Sequence, residues 1–407
     1  MLVLAIGKRI GNMVEEKKEF TPGKGALMTL VLVAMLNCMG GAAVAPALPA
    51  ISEAYPHASE TLVSMVITIP SLAVAVSGLF VGMLADRIGK AKTLAGSLAL
   101  FTVAGLSGTV LPSLELILAG RFVMGIGMAG IATASTALVA EYYDAHTRAK
   151  MFGWQSAANG MSVLALETSG GFLALLGWRV PFMVYLIGIP FIILTALFIR
   201  EKSATRKQSG AYSANDDIAA RIPRSVVAIC LAVSFSGQIL AFLVPSKMPY
   251  LVAGLGADSA FSGLVLGGFG LSNIAASLLF PFLYQRLKRS VLTVVGFSFL
   301  SIGCTILGFS SELWQIPVGV AFVGFGVGTV MPLFMNWLAA KSSRENSGKY
   351  MGAFTTACNL GQFACSLLAG AVLAIVGTHQ AMFLAAAVFG LAFVIGAILL
   401  RKVIDRP

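Results

Sequence analysis

The sequence predicts an all-α membrane protein with twelve transmembrane helices arranged in two pseudo-symmetric six-helix bundles. Three observations predict this fold class. Hydrophobic residues make up 57% of the 407 residues and charged residues only 11%, whereas a soluble protein carries about 25% charged residues. Twelve apolar segments are each close to the roughly 20 residues that a helix needs to cross the hydrocarbon core. Landmark residues in the first half also recur in the second half at one constant offset.

The twelve segments, called spans 1 to 12 below, are joined by short loops except for one longer polar stretch. They cover residues 26–50, 60–83, 93–112, 114–139, 151–176, 180–199, 225–251, 259–284, 291–310, 313–339, 348–374 and 378–400. This pattern divides the chain into an N-terminal tail (1–25), a first six-helix bundle (26–199), a polar linker (200–224), a second bundle (225–400) and a C-terminal tail (401–407).

Basic residues are concentrated in the two tails and in the loops on one side of the spans. Every lysine and arginine lies there except Arg121, Arg179 and Lys247. Because loops rich in Lys and Arg remain in the cytoplasm, this distribution predicts a multi-pass protein of a cell inner membrane with both termini cytoplasmic. The net charge of +11 follows from this topology, so nucleic-acid binding is not expected. The two faces of the bundle are named below the predicted cytoplasmic side and the predicted outer side.

An internal repeat supports the division into two bundles. Adding 199 to the numbers of Pro46, Arg87 and Gly125 gives Pro245, Arg286 and Gly324, which lie in equivalent spans or loops. One offset that holds over several helix pairs is more informative than any single glycine or proline match. Two six-helix halves in the same orientation are typical of one large class of secondary transporters, in which the halves enclose a central cavity.

The stretch GMLADRIGK, which begins at Gly82 and follows span 2, resembles the G-x-L-a-D-r-x-G-r-k motif of the major facilitator superfamily. RFVMGIGMAG, which begins at Arg121, is similar to the span 4 motif of the proton-coupled drug exporters in that superfamily. The resemblance implies the twelve-helix major facilitator fold. It also implies alternating access, in which the halves rock about the cavity.

The resemblance to the first motif implies a latch that joins the two halves on the cytoplasmic side. The Asp86 carboxylate is expected to face the N-terminus of span 11, where the helix dipole favours an anion. Lys90 is expected to pair with Glu141 at the cytoplasmic end of span 4. The predicted latch residues are Gly82, Asp86, Arg87, Gly89, Lys90 and Glu141. The equivalent loop of the second half has Gln285 in place of the aspartate, so one latch is expected.

Two ionisable residues lie within spans. Arg121 is about 10 Å and Glu167 about 13 Å from the predicted outer ends of spans 4 and 5, at 1.5 Å per residue. An ion in the bilayer is costly unless it is paired or faces water, so an Arg121–Glu167 pair or a shared water-filled cavity is expected. Glu167 also stands where the drug exporters carry Gly-Pro. Our hypothesis is that Glu167 carries the coupled proton and that Arg121 modulates it or contacts substrate.

Polar residues within other spans are candidates for the substrate cavity. Spans 1, 4, 7 and 10 line the cavity in the superfamily. The candidates are Asn37, Gln238 and Asn336 in those spans, together with Asn359 and Gln362 in span 11. The alternative for each residue is a hydrogen bond that holds neighbouring helices together.

The resemblance favours a monomeric secondary active transporter that exports small, fairly apolar organic compounds in exchange for protons. A proton gradient, rather than a cofactor, would drive it. Proton-coupled uptake of an organic anion or metabolite is the alternative, with Arg121 as the anion contact. A membrane enzyme or receptor is a remote alternative, because the sequence has no catalytic cluster and no nucleotide-binding loop. Its five cysteines form no CxxC pair, so neither a disulfide framework nor a metal site is expected.

Overall fold

The computed structural model describes residues 22–143, 145–201, 222–342 and 347–405. These ranges are helical and contain no strand. Residues 1–21 of the predicted tail, 202–221 of the predicted linker and the last two residues lie outside the described residues. Spans 2 to 12 are formed by Glu60–Ile88, Lys90–Gly105 with Ser107–Val110, Leu114–Tyr142, Ala145–Leu175, Val180–Ile187 with Gly188–Phe198, Arg224–Gly254, Ser259–Arg286, Arg289–Gly308, Gln315–Lys341, Ser347–Val376 and His379–Leu399.

Length and composition alone allow ten of the described helices to cross a membrane. Shorter apolar helices at Lys24–Ala34 and Gly160–Leu175 belong to spans 1 and 5. Together these helices form the twelve-helix fold that the sequence predicts. Large apolar side chains are exposed along the outside of many spans, as expected for helices that face lipid.

Span 1 is broken, and the prediction of one continuous helix over residues 26–50 is therefore wrong in this detail. Helix Lys24–Ala34 continues as the 3-10 turn Met35–Cys38, passes through turn residues 39–44, and resumes at Ala45–Ala47 and Leu48–Ala54. Gly40 and Gly41 lower helix propensity, and Pro46 has no backbone N–H. A break inside a membrane leaves backbone groups that need partners from other helices.

Side chains cap several helices at the predicted outer side, and two of the caps follow the internal repeat. The Ser59 hydroxyl accepts a hydrogen bond from the Leu62 N–H (3.3 Å) at the start of span 2. The Asp258 carboxylate accepts one from the Phe261 N–H (2.9 Å) at the start of span 8. Such caps satisfy N–H groups that a helix leaves unpaired at its first turn. Ser59 and Asp258 differ in number by the repeat offset, so the two halves begin equivalent helices in the same way.

Helix packing repeats between the halves. In the first half, span 4 packs on spans 2 and 3, span 3 on span 6, and span 1 on span 5. In the second half, span 10 packs on spans 8 and 9, span 9 on span 12, and span 7 on span 11. The halves meet where span 5 packs on span 8 and span 2 packs on span 11. We call this pair of contacts the seam.

The seam is closed toward the predicted outer side. Spans 5 and 8 approach so closely that a Cβ atom on Gly171 would lie 2.5 Å from the Ser259 carbonyl oxygen. The Ser259 hydroxyl donates to the Gly171 carbonyl oxygen (3.1 Å). Between spans 2 and 11, the Thr68 and Ser366 hydroxyls lie 2.8 Å apart. Small residues at helix crossings permit this close packing.

Candidate transport site

Arg121 is buried inside the first half, where it binds the broken region of span 1. Its Nε donates to the Val66 carbonyl oxygen (2.8 Å), and its Nη2 donates to the Gly40 carbonyl oxygen. Its Nη1 contacts the Met124 sulfur (3.3 Å). The guanidinium also lies over the ring of Tyr185, 5.0 Å from its centroid, which is a cation–π contact. Arg121 therefore supplies a hydrogen bond to the break in span 1, at Gly40, and a second to span 2, at Val66.

Two further side chains bind the same region. The Tyr185 hydroxyl of span 6 donates to the Met39 carbonyl oxygen (2.9 Å). The Ser162 hydroxyl of span 5 donates to the Met35 carbonyl oxygen (3.2 Å). Spans 4, 5 and 6 thus hold the break of span 1 from three directions. The sequence gives the polar residues of these spans, but not which carbonyl groups become available to them.

Glu167 lies in span 5 where span 1, span 5 and span 8 meet. Its side chain is only 4% exposed, and its Oε2 has no hydrogen-bond partner among the described residues. One turn away, Gly170 packs against the Ala43 backbone of span 1 and Gly171 against the Gly263 backbone of span 8. Glu167 is therefore a buried acid on the seam, between the break in span 1 and the opposite half.

The predicted ion pair between Arg121 and Glu167 is not formed within the described ranges. The three guanidinium nitrogens of Arg121 all have other partners, which span 1, span 2 and span 4 itself supply. The Gly40 carbonyl oxygen in the break of span 1 and the Val66 carbonyl oxygen of span 2 satisfy the guanidinium without a carboxylate. The roles assigned to the two residues in transport remain predictions.

Two of the predicted cavity residues, Gln238 and Gln362, lie together at the seam. The Ser71 hydroxyl of span 2 donates to the Gln362 side-chain oxygen (2.6 Å). The Gln362 amide nitrogen donates to the Gln238 oxygen (3.4 Å), and the Gln238 nitrogen lies 3.6 Å from the Met331 sulfur. This amide cluster links span 2 of one half to spans 11, 7 and 10 of the other.

The other predicted cavity residues are not part of the amide cluster. Asn336 is exposed on span 10. The Asn359 side chain donates to the Thr355 carbonyl oxygen of its own helix (2.9 Å). The backbone of Asn37 lies in the 3-10 turn before the break, whereas its side chain lies outside the described part of the structure.

In the predicted latch, the pairing of Lys90 with Glu141 is confirmed. The Lys90 Nζ lies 2.7 Å from a Glu141 carboxylate oxygen, with 27% of each side chain exposed. The Glu201 carboxylate at the start of the linker binds the N-terminus of span 3, accepting from the N–H groups of Lys90 (2.8 Å) and Ala91 (3.0 Å). Gly89 precedes this helix with φ of 103°, and a Cβ there would lie 2.7 Å from the Glu201 carboxylate. Gly89 is thus required by both its backbone conformation and its neighbour.

Asp86 and Arg87 are exposed at the end of span 2. No hydrogen bond or ion pair joins Asp86 to the described part of span 11. A Cβ atom on Gly82 would meet only the Thr133 methyl group, at an ordinary contact distance of 3.7 Å. The halves meet through the predicted outer part of the seam, so the latch role of Asp86, Arg87 and Gly82 remains a prediction about another conformation.

The Glu201 contact has an equivalent in the second half that the sequence reasoning missed. Asp405, just after span 12, accepts from the Ser290 N–H (2.9 Å) and the Ser290 hydroxyl (2.6 Å) at the start of span 9. Ala91 and Ser290 differ in number by the repeat offset. In both halves, an acid that follows the sixth helix caps the third helix. An acidic residue at this point of both halves is the signal that could have revealed it.

A twelve-helix bundle with two repeated halves, a polar cluster at their seam and a buried acid beside it is the architecture of a secondary transporter. The profile of the Major Facilitator Superfamily matches residues 30–249 and 226–407 of this sequence. The chain belongs to the Major Facilitator Superfamily, and it is a multi-pass membrane transporter rather than an enzyme.

Several known proteins are similar to it over most of their length. The class C tetracycline resistance protein of Escherichia coli is 24% identical over 388 residues, covering 92% of this chain and 94% of the relative. The quinolone resistance protein NorA of Staphylococcus aureus is 25% identical over 310 residues, covering 72% and 76%. The crystal structure of a D-xylose–proton symporter superposes with a TM-score of 0.76 at 18% identity, covering 91% of this chain and 97% of that one. The structural likeness concerns the fold alone.

Proposed function

We propose that this transporter exports small organic compounds in exchange for protons across a cell inner membrane. The observation that carries the proposal is the buried Glu167 carboxyl, which lies on the seam with one oxygen unpartnered among the described residues. The relatives named for resistance to tetracycline and quinolones support the outward direction, since a transporter gives resistance to a compound by removing it from the cell.

Burial explains how Glu167 would couple proton movement to conformation. A carboxylate without partners inside a membrane costs several kcal/mol, whereas the neutral acid does not carry this cost. With the predicted outer side closed, Glu167 is therefore expected to hold a proton. When water from the predicted cytoplasmic side reaches the carboxyl, the ionised form becomes acceptable and the proton is released. The proton would enter from the outer side and leave toward the cytoplasm, while the substrate moves the other way.

The amide cluster suggests how substrate would bind. Gln238, Gln362 and Ser71 hydrogen-bond to one another, and each can exchange its partner for a group on a ligand. None of the three carries a charge, so the cluster suits uncharged hydrogen-bonding groups on a largely apolar compound. Uptake of an organic anion is less favoured, because Arg121 is fully buried against backbone carbonyl groups.

The experiment uses inverted membrane vesicles from a strain that lacks its own drug pumps and expresses the full chain. A panel of fluorescent amphipathic compounds, including a tetracycline and a quinolone, is screened for accumulation when the vesicle interior is acidified. An exporter should accumulate a compound in these vesicles and lose it when a protonophore is added. Accumulation only in right-side-out vesicles would favour uptake and contradict the proposed direction.

Glu167→Gln tests the coupling residue. We expect proton-driven accumulation to fall to background, while downhill exchange of the same compound continues, because the amide mimics the neutral acid. Glu115→Gln, which changes an exposed carboxylate at the start of span 4, is the matched control. Undiminished proton-driven transport by Glu167→Gln would refute the role of Glu167.

A further inference from the structure

Three ionisable side chains from both halves meet at the predicted outer end of the seam. Glu60 is the first residue of span 2, His379 is the first residue of span 12, and Lys247 lies near the outer end of span 7. The Lys247 Nζ is 2.6 Å from one Glu60 oxygen. The His379 Nε2 is 3.1 Å from each Glu60 oxygen. One carboxylate of the first half thus contacts two basic groups of the second half.

An aromatic ring closes one side of this cluster. Tyr250 stacks on the His379 imidazole, with ring centroids 5.7 Å apart and planes 4° apart. The Lys247 Nζ lies 5.5 Å from the centroid of the same ring. The Tyr250 hydroxyl lies 3.3 Å from the Ser52 hydroxyl of span 1. Spans 1 and 2 of one half and spans 7 and 12 of the other are therefore joined at a single point.

Lys247 makes this contact dependent on the closed conformation. Its side chain is 0% exposed, compared with 24% for Glu60. A buried ammonium group is costly unless it is paired or reaches water. When the two halves separate at the predicted outer side, Lys247 must exchange Glu60 for water. The Glu60–Lys247 pair therefore exists only while the outer seam is closed.

We propose that Glu60, Lys247 and His379 form an outer lock, an ion-paired contact that holds the two halves together at the predicted outer side. The lock must open each time the central cavity faces outward. It lies at the opposite end of the bundle from the latch loop after span 2. The proposal depends on transport by separation of the two halves, but not on the direction of transport or on the role of Glu167.

The lock explains a residue that the charge distribution leaves as an exception. Lys247 is one of only three basic residues outside the predicted cytoplasmic regions. Burial alone requires a partner for the Lys247 ammonium group, and that partner, a Glu60 oxygen at 2.6 Å, comes from the opposite half. After its first residue, Arg224, helix Arg224–Gly254 carries one charged residue, Lys247. The pairing of this residue with an acid across the seam indicates a contact between the halves.

The test measures how often the outer seam opens. Thr68 is fully buried and hydrogen-bonded across the seam to Ser366, so a cysteine there reacts only when the halves separate. Thr68→Cys is introduced into the full-length chain after its five native cysteines have been replaced. Intact cells are then exposed to a membrane-impermeant maleimide from outside, and the rate of labelling is measured without substrate.

We expect Glu60→Gln to raise the labelling rate about tenfold or more, within the range of coupling between two conformations. Lys247→Met should raise it less, because Glu60 keeps His379 and removal of the buried cation also removes its desolvation cost. Lys247→Arg keeps the charge and should stay near the parent rate. Glu53→Gln, which changes an exposed carboxylate at the same end of the bundle, is the matched control.

The proposal is overturned if Glu60→Gln and Lys247→Met both label at the parent rate. It is also overturned if the control Glu53→Gln increases labelling as much as they do. Elution as a single species in detergent shows whether each variant is folded. If Glu60→Gln does not fold, the difference between Lys247→Met and Lys247→Arg decides the question. Failure of proton-driven export with a functioning lock would refute only the proposed function.

Discussion

The crossing of spans 5 and 8 at Gly171 allows a sharp test of how the seam controls the conformation. A Cβ atom at this position would lie 2.5 Å from the Ser259 carbonyl oxygen and 2.8 Å from the Gly263 Cα. Both neighbours are backbone atoms, which cannot turn aside as the end of a flexible side chain can. Gly171→Ala therefore forces spans 5 and 8 apart whenever the outer seam is closed.

The size of the effect follows from the cost of overpacking. An added methyl group in a well-packed contact typically costs about 1–3 kcal/mol, and every 1.4 kcal/mol corresponds to a tenfold change in an equilibrium constant. The clash exists only while the seam is closed. We therefore expect the ratio of closed to open molecules to fall by about 5- to 150-fold. The improved helix propensity of alanine acts on both conformations and cancels.

The assay is the labelling of Thr68→Cys from outside the cell, compared among Gly171→Ala, the parent and Gly268→Ala. Gly268 is the matched control, since it is a glycine inside span 8 where an added Cβ atom would have no neighbour within 4 Å. We expect faster labelling for Gly171→Ala and no change for Gly268→Ala. Equal labelling rates for both variants, with both folded, would refute the conclusion that this crossing closes the outer seam.

Three further outcomes are expected. Arg121→Lys should lower the thermal unfolding temperature in detergent, because an ammonium lacks the planar set of donors that reaches two carbonyl groups. Each buried acceptor left unpaired costs about 1–3 kcal/mol. An unchanged unfolding temperature would contradict the role of Arg121 at the Gly40 break. Glu201→Ala should cost about 1 kcal/mol through loss of the cap on span 3, whereas Glu201→Asp should recover part of it in the same melting assay. Glu141→Gln should change the free energy of unfolding by at most about 1 kcal/mol, because the Glu141–Lys90 pair is partly exposed. A larger loss of stability in the same melting assay would show that the pair is more than a surface contact.

The fold could be predicted because it depends on sums over many residues. Twelve apolar segments, a one-sided distribution of basic residues and a constant repeat offset all indicated two six-helix halves, and no single residue decided the outcome. The pairing of Lys90 with Glu141 was also predictable, since the resemblance placed both at one end of spans 3 and 4. The break in span 1 was only partly visible, in Gly40, Gly41 and Pro46.

The partners of buried polar groups could not be predicted in the same way. Arg121 was expected to face Glu167 because the two lie at similar depth, but depth says nothing about the rotation of each helix. The break in span 1 and the neighbouring span 2 each supplied a carbonyl oxygen instead, and Glu167 was left on the seam. Lys247 was an exception in the charge count until the fold placed Glu60 beside it.

By itself, the sequence determined that this chain enters a membrane, how many times it crosses, and which superfamily it resembles. These properties follow from total hydrophobicity, from charge bias and from a short motif. Only the tertiary structure decided which residues of the two halves meet, because hydrogen bonds and ion pairs depend on distances of a few ångströms. Such distances are fixed by helix rotation, helix breaks and the close approach of glycines at the seam.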